Sequence, residues 1–314
     1  MPRGICAAIA AFAVLTITVA APIPLVGQHA IARDALTDVA AIDYARDWIV
    51  PPKVAYELIQ QGALVIDARD SFLRWRQGKL PNAVTVTWDE LSQPDAPTKG
   101  QLLTDTDEYN RRLRALGISK TRPIVVVADP LNGWGEDGRI AWTLRSLGHH
   151  QVVIVDGGLP ALRKQGTLKV KPAQVPGDFS VTRENQWEVL KEELRARLAK
   201  GDLAIIDARE PREYAGATPY GETRGGHIPG AQTLWFRSLI GQDGKLLPHD
   251  EIERVLASKG ITKDKEIVAY CTGGIRSGWL TAVLNDLGYK ARNYAGSMWE
   301  WSAGAPDEYP LVKN

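Results

Sequence analysis

Leu64-Val65-Ile66-Asp67-Ala68-Arg69-Asp70 returns further along the chain as Ala204-Ile205-Ile206-Asp207-Ala208-Arg209-Glu210. Each copy is a short apolar run ending in an Asp-Ala-Arg step, the signature of a buried strand that stops at a polar edge. Outward from this pair the two halves stay in step. Gly78-Lys79-Leu80-Pro81-Asn82-Ala83 matches Gly226-His227-Ile228-Pro229-Gly230-Ala231, and Ile124-Val125-Val126-Val127-Ala128-Asp129 matches the run that leads into Cys271. Leu147-Gly148-His149 matches Leu287-Gly288-Tyr289, and Asp156-Gly157-Gly158 matches Ala295-Gly296-Ser297. Matches in one order, at an offset of about 140 residues, mark a duplicated domain.

Within each copy, short apolar runs alternate with helical stretches of roughly 10–15 residues, such as the one from Glu188 to Lys200. That alternation predicts an α/β fold in which each domain is a parallel sheet covered by helices on both faces. The boundaries fall at residues 44–164 and 186–314, joined by a linker over 165–185 that contains Pro172, Pro176 and Gly177. Ligands of such sheets bind beyond the carboxyl ends of the strands.

The chain has 314 residues, room for two domains, and a formal charge of +1. So even a balance provides no basic field for nucleic acid or an anionic membrane. The start of the chain differs from the rest. Arg3 is followed by an uncharged run from Ile5 to Ala21, with small residues before Ala21. This pattern predicts a secretory signal peptide over residues 1–20 and an exported, periplasmic mature protein. The alternative is an uncleaved membrane anchor. Cys6 lies inside that leader, so the mature chain carries one thiol, Cys271.

Cys271 opens the segment Cys271-Thr272-Gly273-Gly274-Ile275-Arg276-Ser277, between an apolar strand and what is expected to be an amphipathic helix. Strand, glycine loop and helix N-terminus form a cradle of N–H groups with roughly half a positive charge at the helix end. Arg276 adds a full charge. A free cysteine has a pKa of about 8.5, and such surroundings lower it and make the sulfur nucleophilic. A buried, inert cysteine is the competing reading. The first copy has Asp129 in place of Cys271, followed by a longer, acidic loop. A carboxylate is no sulfur nucleophile, so the first domain is expected to wall one side of the site.

These segments, with Trp48-Ile49-Val50 and Arg292-Asn293-Tyr294-Ala295-Gly296-Ser297-Met298-Trp299-Glu300-Trp301, resemble the two-domain rhodanese family over roughly residues 48–311. The Cys-x-x-Gly-x-Arg-Ser pattern is similar to that of the bacterial thiosulfate sulfurtransferases in it. The resemblance implies two tandem rhodanese-like domains, the first inactive and the second catalytic. It also implies transfer of the outer sulfur of thiosulfate to cyanide or another thiophile through a Cys271 persulfide. The partners would then be a small-molecule sulfur donor and acceptor, with no metal or organic cofactor. Thr272, Gly273, Gly274, Ile275, Arg276 and Ser277 would bind substrate. Glu213 falls near where some relatives place a substrate-binding arginine, which makes Arg212 and Arg224 further candidates. Asp207, Arg209, His227 and Trp299 would support the loop or wall the pocket.

Three alternatives share the cysteine. A 3-mercaptopyruvate sulfurtransferase would use the same chemistry on another donor. A persulfide carrier would deliver sulfur to one dedicated partner. A phosphatase or arsenate reductase would use a cysteine loop with five residues between Cys and Arg, whereas Thr272 to Ile275 are the only residues between them here.

Overall fold

The computed structural model describes Met1 and residues 36–313, so the rest of the leader, with Cys6, lies outside the described residues. The first domain carries β1 (Ile49–Val50), β2 (Leu64–Asp67), β3 (Val84–Thr85), β4 (Ile124–Val127) and β5 (Val152–Val155). They form an all-parallel sheet in the order β1-β5-β4-β2-β3. The second carries β6 (Leu203–Asp207), β7 (Gln232–Thr233), β8 (Glu266–Tyr270) and β9 (Lys290–Asn293) in the order β7-β6-β8-β9. These strands too are parallel. Where β1 flanks β5, the second domain has a single parallel bridge from Glu188 to Asn293. Residues 188 and 189 are thus extended, and the helix expected from Glu188 to Lys200 occupies Lys191–Leu198.

β4 is buried at every residue because both faces of its sheet are covered. Val65, Val125, Val127, Val153 and Val155 face outward under the helices Pro52–Gln61 and Gly158–Arg163. Leu64, Ile66, Ile124 and Val126 face the other domain and share one continuous core with Ile206, Ile267 and Ala269. Two helices lie between the sheets, Glu136–Ser146 and Ile275–Asp286. They approach closely through glycines: a Cβ on Gly138 would strike the backbone of Trp279, and one on Gly278 would sit 3.2 Å from the Arg139 Cα. The helix after Cys271 is therefore not amphipathic. Arg276 to Leu284 are all buried, because its own sheet and the partner helix leave no face for water.

Both Asp-Ala-Arg steps do the same structural work. Asp67 pairs with Arg69 at 2.7 Å and Asp207 with Arg209 at 2.6 Å. A buried pair is held best where its remaining polar atoms are bonded, which is complete for Arg69 but leaves Arg209 Nη1 without a partner. Arg69 donates on to the Gly78 carbonyl at 3.0 Å and Arg209 to the Gly226 carbonyl at 2.7 Å, tying each strand to its proline turn. The segment 165–185 has neither helix nor strand before Asn185, yet it is strapped to the first domain. Arg114 donates to the Phe179 carbonyl at 2.8 Å, Arg122 to the Lys171 carbonyl at 3.0 Å, and Val170 and Phe179 are buried. Among the described residues no helix is long and apolar enough to cross a membrane.

Candidate active site

Cys271 is the first residue beyond β8, and the Ile275–Asp286 helix begins four residues later. Gly274 caps that helix with φ 80°, a left-handed conformation that glycine adopts without a Cβ penalty. Gly273 is bare for another reason: a Cβ there would strike the Trp299 ring. The loop is pinned by three bonds to the segment after β9. Cys271 N–H donates to Ser297 Oγ at 3.0 Å, Met298 N–H to the Cys271 carbonyl at 3.2 Å, and Trp299 N–H to the Thr272 carbonyl at 2.9 Å.

Cys271 is 1% exposed, and its sulfur accepts the Gly274 N–H at 3.1 Å. Ser277 Oγ lies 3.5 Å from it but also 2.7 Å from Asn293 Oδ1, so its one proton alternates between them. Burial is the largest influence on Cys271 and pushes its pKa up. The Arg276 guanidinium, the Ser277 hydroxyl and the N–H groups of Ser277 and Gly273 together outweigh it, leaving the thiol below its ordinary value.

Arg276 is not the free cation that the sequence leads one to expect. Its Nη1 lies 2.6 Å from Glu213 Oε2 and its Nη2 2.9 Å from Glu213 Oε1, a bidentate buried pair. Burial pushes Glu213 up, and Arg276 more than reverses this, keeping it below the usual carboxylate range. Nη2 also donates to Thr272 Oγ1 at 2.7 Å. Thr272 Oγ1 in turn lies 2.9 Å from Glu213 and 3.2 Å from Glu222, and its single proton serves one of them at a time. The guanidinium sits over Trp134 at 5.4 Å and Tyr220 at 5.6 Å.

Above the sulfur is a cavity of about 250 Å³ walled by Trp88, Trp134, Tyr220 and Trp299. Trp88 and Trp134 come from the first domain. Trp299 stacks on Trp88 at 6.3 Å and is oriented by its Nε1–H bond to the Tyr220 carbonyl at 2.9 Å. Lys99 Nζ lies 4.6 Å from the centre of the Trp299 ring.

The structure brings most of the sequence candidates together. Thr272, Gly273, Ile275 and Arg276 line the cavity, while Gly274 and Ser277 address the sulfur. Arg212 and Arg224 must be corrected, because neither lines it. Arg212 is exposed and pairs with Glu210 at 2.7 Å. Arg224 clamps the carbonyls of Trp301, Ser302, Gly304 and Tyr309. His227 is stacked on Tyr214 at 3.6 Å, with Nδ1 3.0 Å from the Tyr214 carbonyl, away from the sulfur. Glu213, Glu222, Trp88, Trp134 and Tyr220 escape a reading of the sequence. The one signal in the sequence is Glu213, near where the resemblance leads one to expect an arginine.

In the first domain Asp129 organises a turn. It accepts the N–H groups of Leu131 at 3.0 Å and Asn132 at 3.1 Å, and the side chain of Gln77. That turn carries Trp134 to the cavity. Asp129→Ala is therefore expected to leave the chemical step unchanged within about twofold while raising KM a few-fold through Trp134. Steady-state kinetics checks this, and a fall in kcat like that of a Cys271 variant would contradict it.

Comparison with known proteins agrees with this architecture. The Rhodanese-like domain model matches residues 51–165 and again 190–304. A thiosulfate sulfurtransferase of Pseudomonas aeruginosa is 34% identical over 258 residues, covering 81% of this chain and 93% of its own. The sulfur carrier protein TtuD of Thermus thermophilus is 29% identical, covering 82% and 91%. The crystal structure of SseA from Escherichia coli, a 3-mercaptopyruvate sulfotransferase, superposes with a TM-score of 0.68 over 80% of this chain and 98% of its own, at 23% identity. With two matched domains that span most of its length, the chain belongs to the rhodanese family.

Proposed function

We propose that this protein is a thiosulfate sulfurtransferase working through a persulfide on Cys271. The observation that carries the reading is a sulfur held below its ordinary pKa, with an N–H donor 3.1 Å away, at the floor of a cavity between two domains. Relatives named as sulfurtransferases support it at up to 34% identity in the comparisons given above. The thiolate attacks the outer sulfur of thiosulfate, and the S–S bond breaks. Sulfite leaves with the bonding pair, and the persulfide anion remains on Cys271. The Gly274 N–H keeps hold of Sγ, while the charge of the persulfide rests on the outer sulfur. A thiophile such as cyanide attacks that outer sulfur and returns the pair to Sγ.

The test is mass spectrometry of the protein after thiosulfate treatment. One added sulfur on the Cys271 peptide, lost on adding cyanide, is the expected result. An unmodified Cys271 under conditions in which the protein is folded would overturn the proposal.

A second donor, 3-mercaptopyruvate, is favoured by one feature. The lining cation Arg276 is already matched by Glu213, and four of the other lining residues are aromatic, which suits an organic monoanion better than a small dianion. The ratio of kcat/KM for the two donors decides between them. A carrier would show a stable persulfide together with slow discharge to cyanide.

A further inference from the structure

Arg139, on the interface helix of the first domain, is fully buried. Among the described residues it has no carboxylate at ion-pair distance, and its hydrogen bonds go to neutral acceptors. Nη1 donates to the Gly274 carbonyl at 3.0 Å, and Nη2 to Ser92 Oγ at 2.8 Å and to the Gly100 carbonyl. Nε has no partner. The Trp142 ring lies 4.8 Å from the guanidinium. A buried cation without a matched carboxylate is costly.

The duplication provides an internal control. Gly135 and Gly274 are corresponding helix caps, with φ 83° and 80°. Gly138, three residues after its cap, and Gly278, four residues after its own, are the contact points of the next turn. Trp279 packs on Gly135 and Gly138, and Arg139 packs on Gly274 and Gly278. Thus the helix cap beside Asp129 receives an indole from across the interface, and the cap beside Cys271 receives a guanidinium. The cation stands on the side where a sulfur anion forms.

The route to the sulfur is short. Gly274 donates its N–H to Sγ at 3.1 Å and offers its carbonyl to Arg139 at 3.0 Å and to Asn293 Nδ2 at 3.1 Å. Asn293 Oδ1 accepts from Ser277 Oγ, whose other contact is the sulfur. We propose that Arg139 is a positioning residue for Cys271, supplied by the domain that has lost its own nucleophile. It fixes Gly274 and provides positive charge to the thiolate and persulfide that Arg276, matched by Glu213, only partly supplies. Burial draws Arg139 down to about 10, so it stays charged at neutral pH, and Cys271 is one of the groups whose charge opposes that fall, after Tyr109 and before Glu188. The other charged groups around the sulfur are Arg276 on its own helix and Glu213 and Glu222 beyond Thr272.

This inference rests on the reading that Cys271 is the reactive thiol, and its test needs no sulfur substrate. In a Cys6→Ala background, the rate of alkylation by iodoacetamide is followed against pH. Arg139→Met is expected to move the midpoint up by about one pH unit, roughly a tenfold loss of rate below the midpoint. The alkaline plateau should stay within about twofold, which a disordered loop would not allow. Arg139→Lys should restore most of the shift. If Arg139→Met does not fold, Arg139→Gln keeps amide donors without charge and should show the same upward midpoint. A folded Met or Gln variant with an unchanged midpoint, or a lowered plateau alone, would overturn the proposal. Failure of sulfur loading from thiosulfate, with the alkylation shift present, would instead count against the proposed donor.

Discussion

Cys271→Ser is expected to remove sulfur transfer by a factor on the order of 10⁴ or more while leaving the fold in place. The oxygen is smaller and occupies the same position, so the Gly274 N–H and the Ser297 contact at the Cys271 N–H are kept. What is lost is chemistry. A serine hydroxyl in this site has no neighbouring base to remove its proton, whereas the thiol is already displaced toward its anion by Arg276 and the loop N–H groups. Two measurements check the prediction together: turnover of thiosulfate, and the thermal transition. Substantial turnover by a folded Cys271→Ser protein would place the reaction elsewhere.

The second large effect belongs to Arg276, and it has two parts that can be separated. Arg276→Ala removes one partner of a buried pair and leaves Glu213, itself fully buried, with an uncompensated charge. Breaking such a pair costs about 3–5 kcal/mol. The same substitution removes the foremost influence that lowers the Cys271 pKa. The sign follows directly: with the cation gone the thiolate forms at higher pH, so persulfide formation falls at neutral pH and partly recovers under alkaline conditions. Arg276→Lys keeps the charge but not the fork, and should lose less of both. Adding Glu213→Gln to Arg276→Ala should restore much of the stability without restoring the low pKa. Chemical denaturation and the pH profile of persulfide formation read the two parts independently. An unchanged profile in the folded Arg276→Ala protein would show that the Glu213 pair cancels the influence of Arg276 on the sulfur.

The fold is legible in the sequence because its strands are buried on both faces and so read as unbroken apolar runs, twice over. Ile124 to Val127 and Ile267 to Tyr270 need no partner to be recognised. The cysteine loop is legible for a similar reason, since strand, glycines and helix start are contiguous. Its electrostatics are not contiguous. Glu213 is 63 positions from Arg276, and Arg139 is 135 positions from Gly274. Local spacing says nothing about either contact. The amphipathic expectation for the helix after Cys271 fails for a related reason: periodicity reports a solvent face, and this helix has none between Arg276 and Leu284. Arg212 and Arg224 were attractive by proximity along the chain, but the backbone directs one to the surface and the other to the C-terminal carbonyls.

The close fit of the two interface helices also bears on how the chain could have changed after its duplication. Each half now fills gaps in the other: Trp279 occupies the space left by Gly135 and Gly138, and Arg139 that left by Gly274 and Gly278. Neither half could be discarded without exposing an apolar sheet face and stranding a large side chain. The first copy is thus held in place by a ratchet: with each half packed into the other, it is no longer free to disappear.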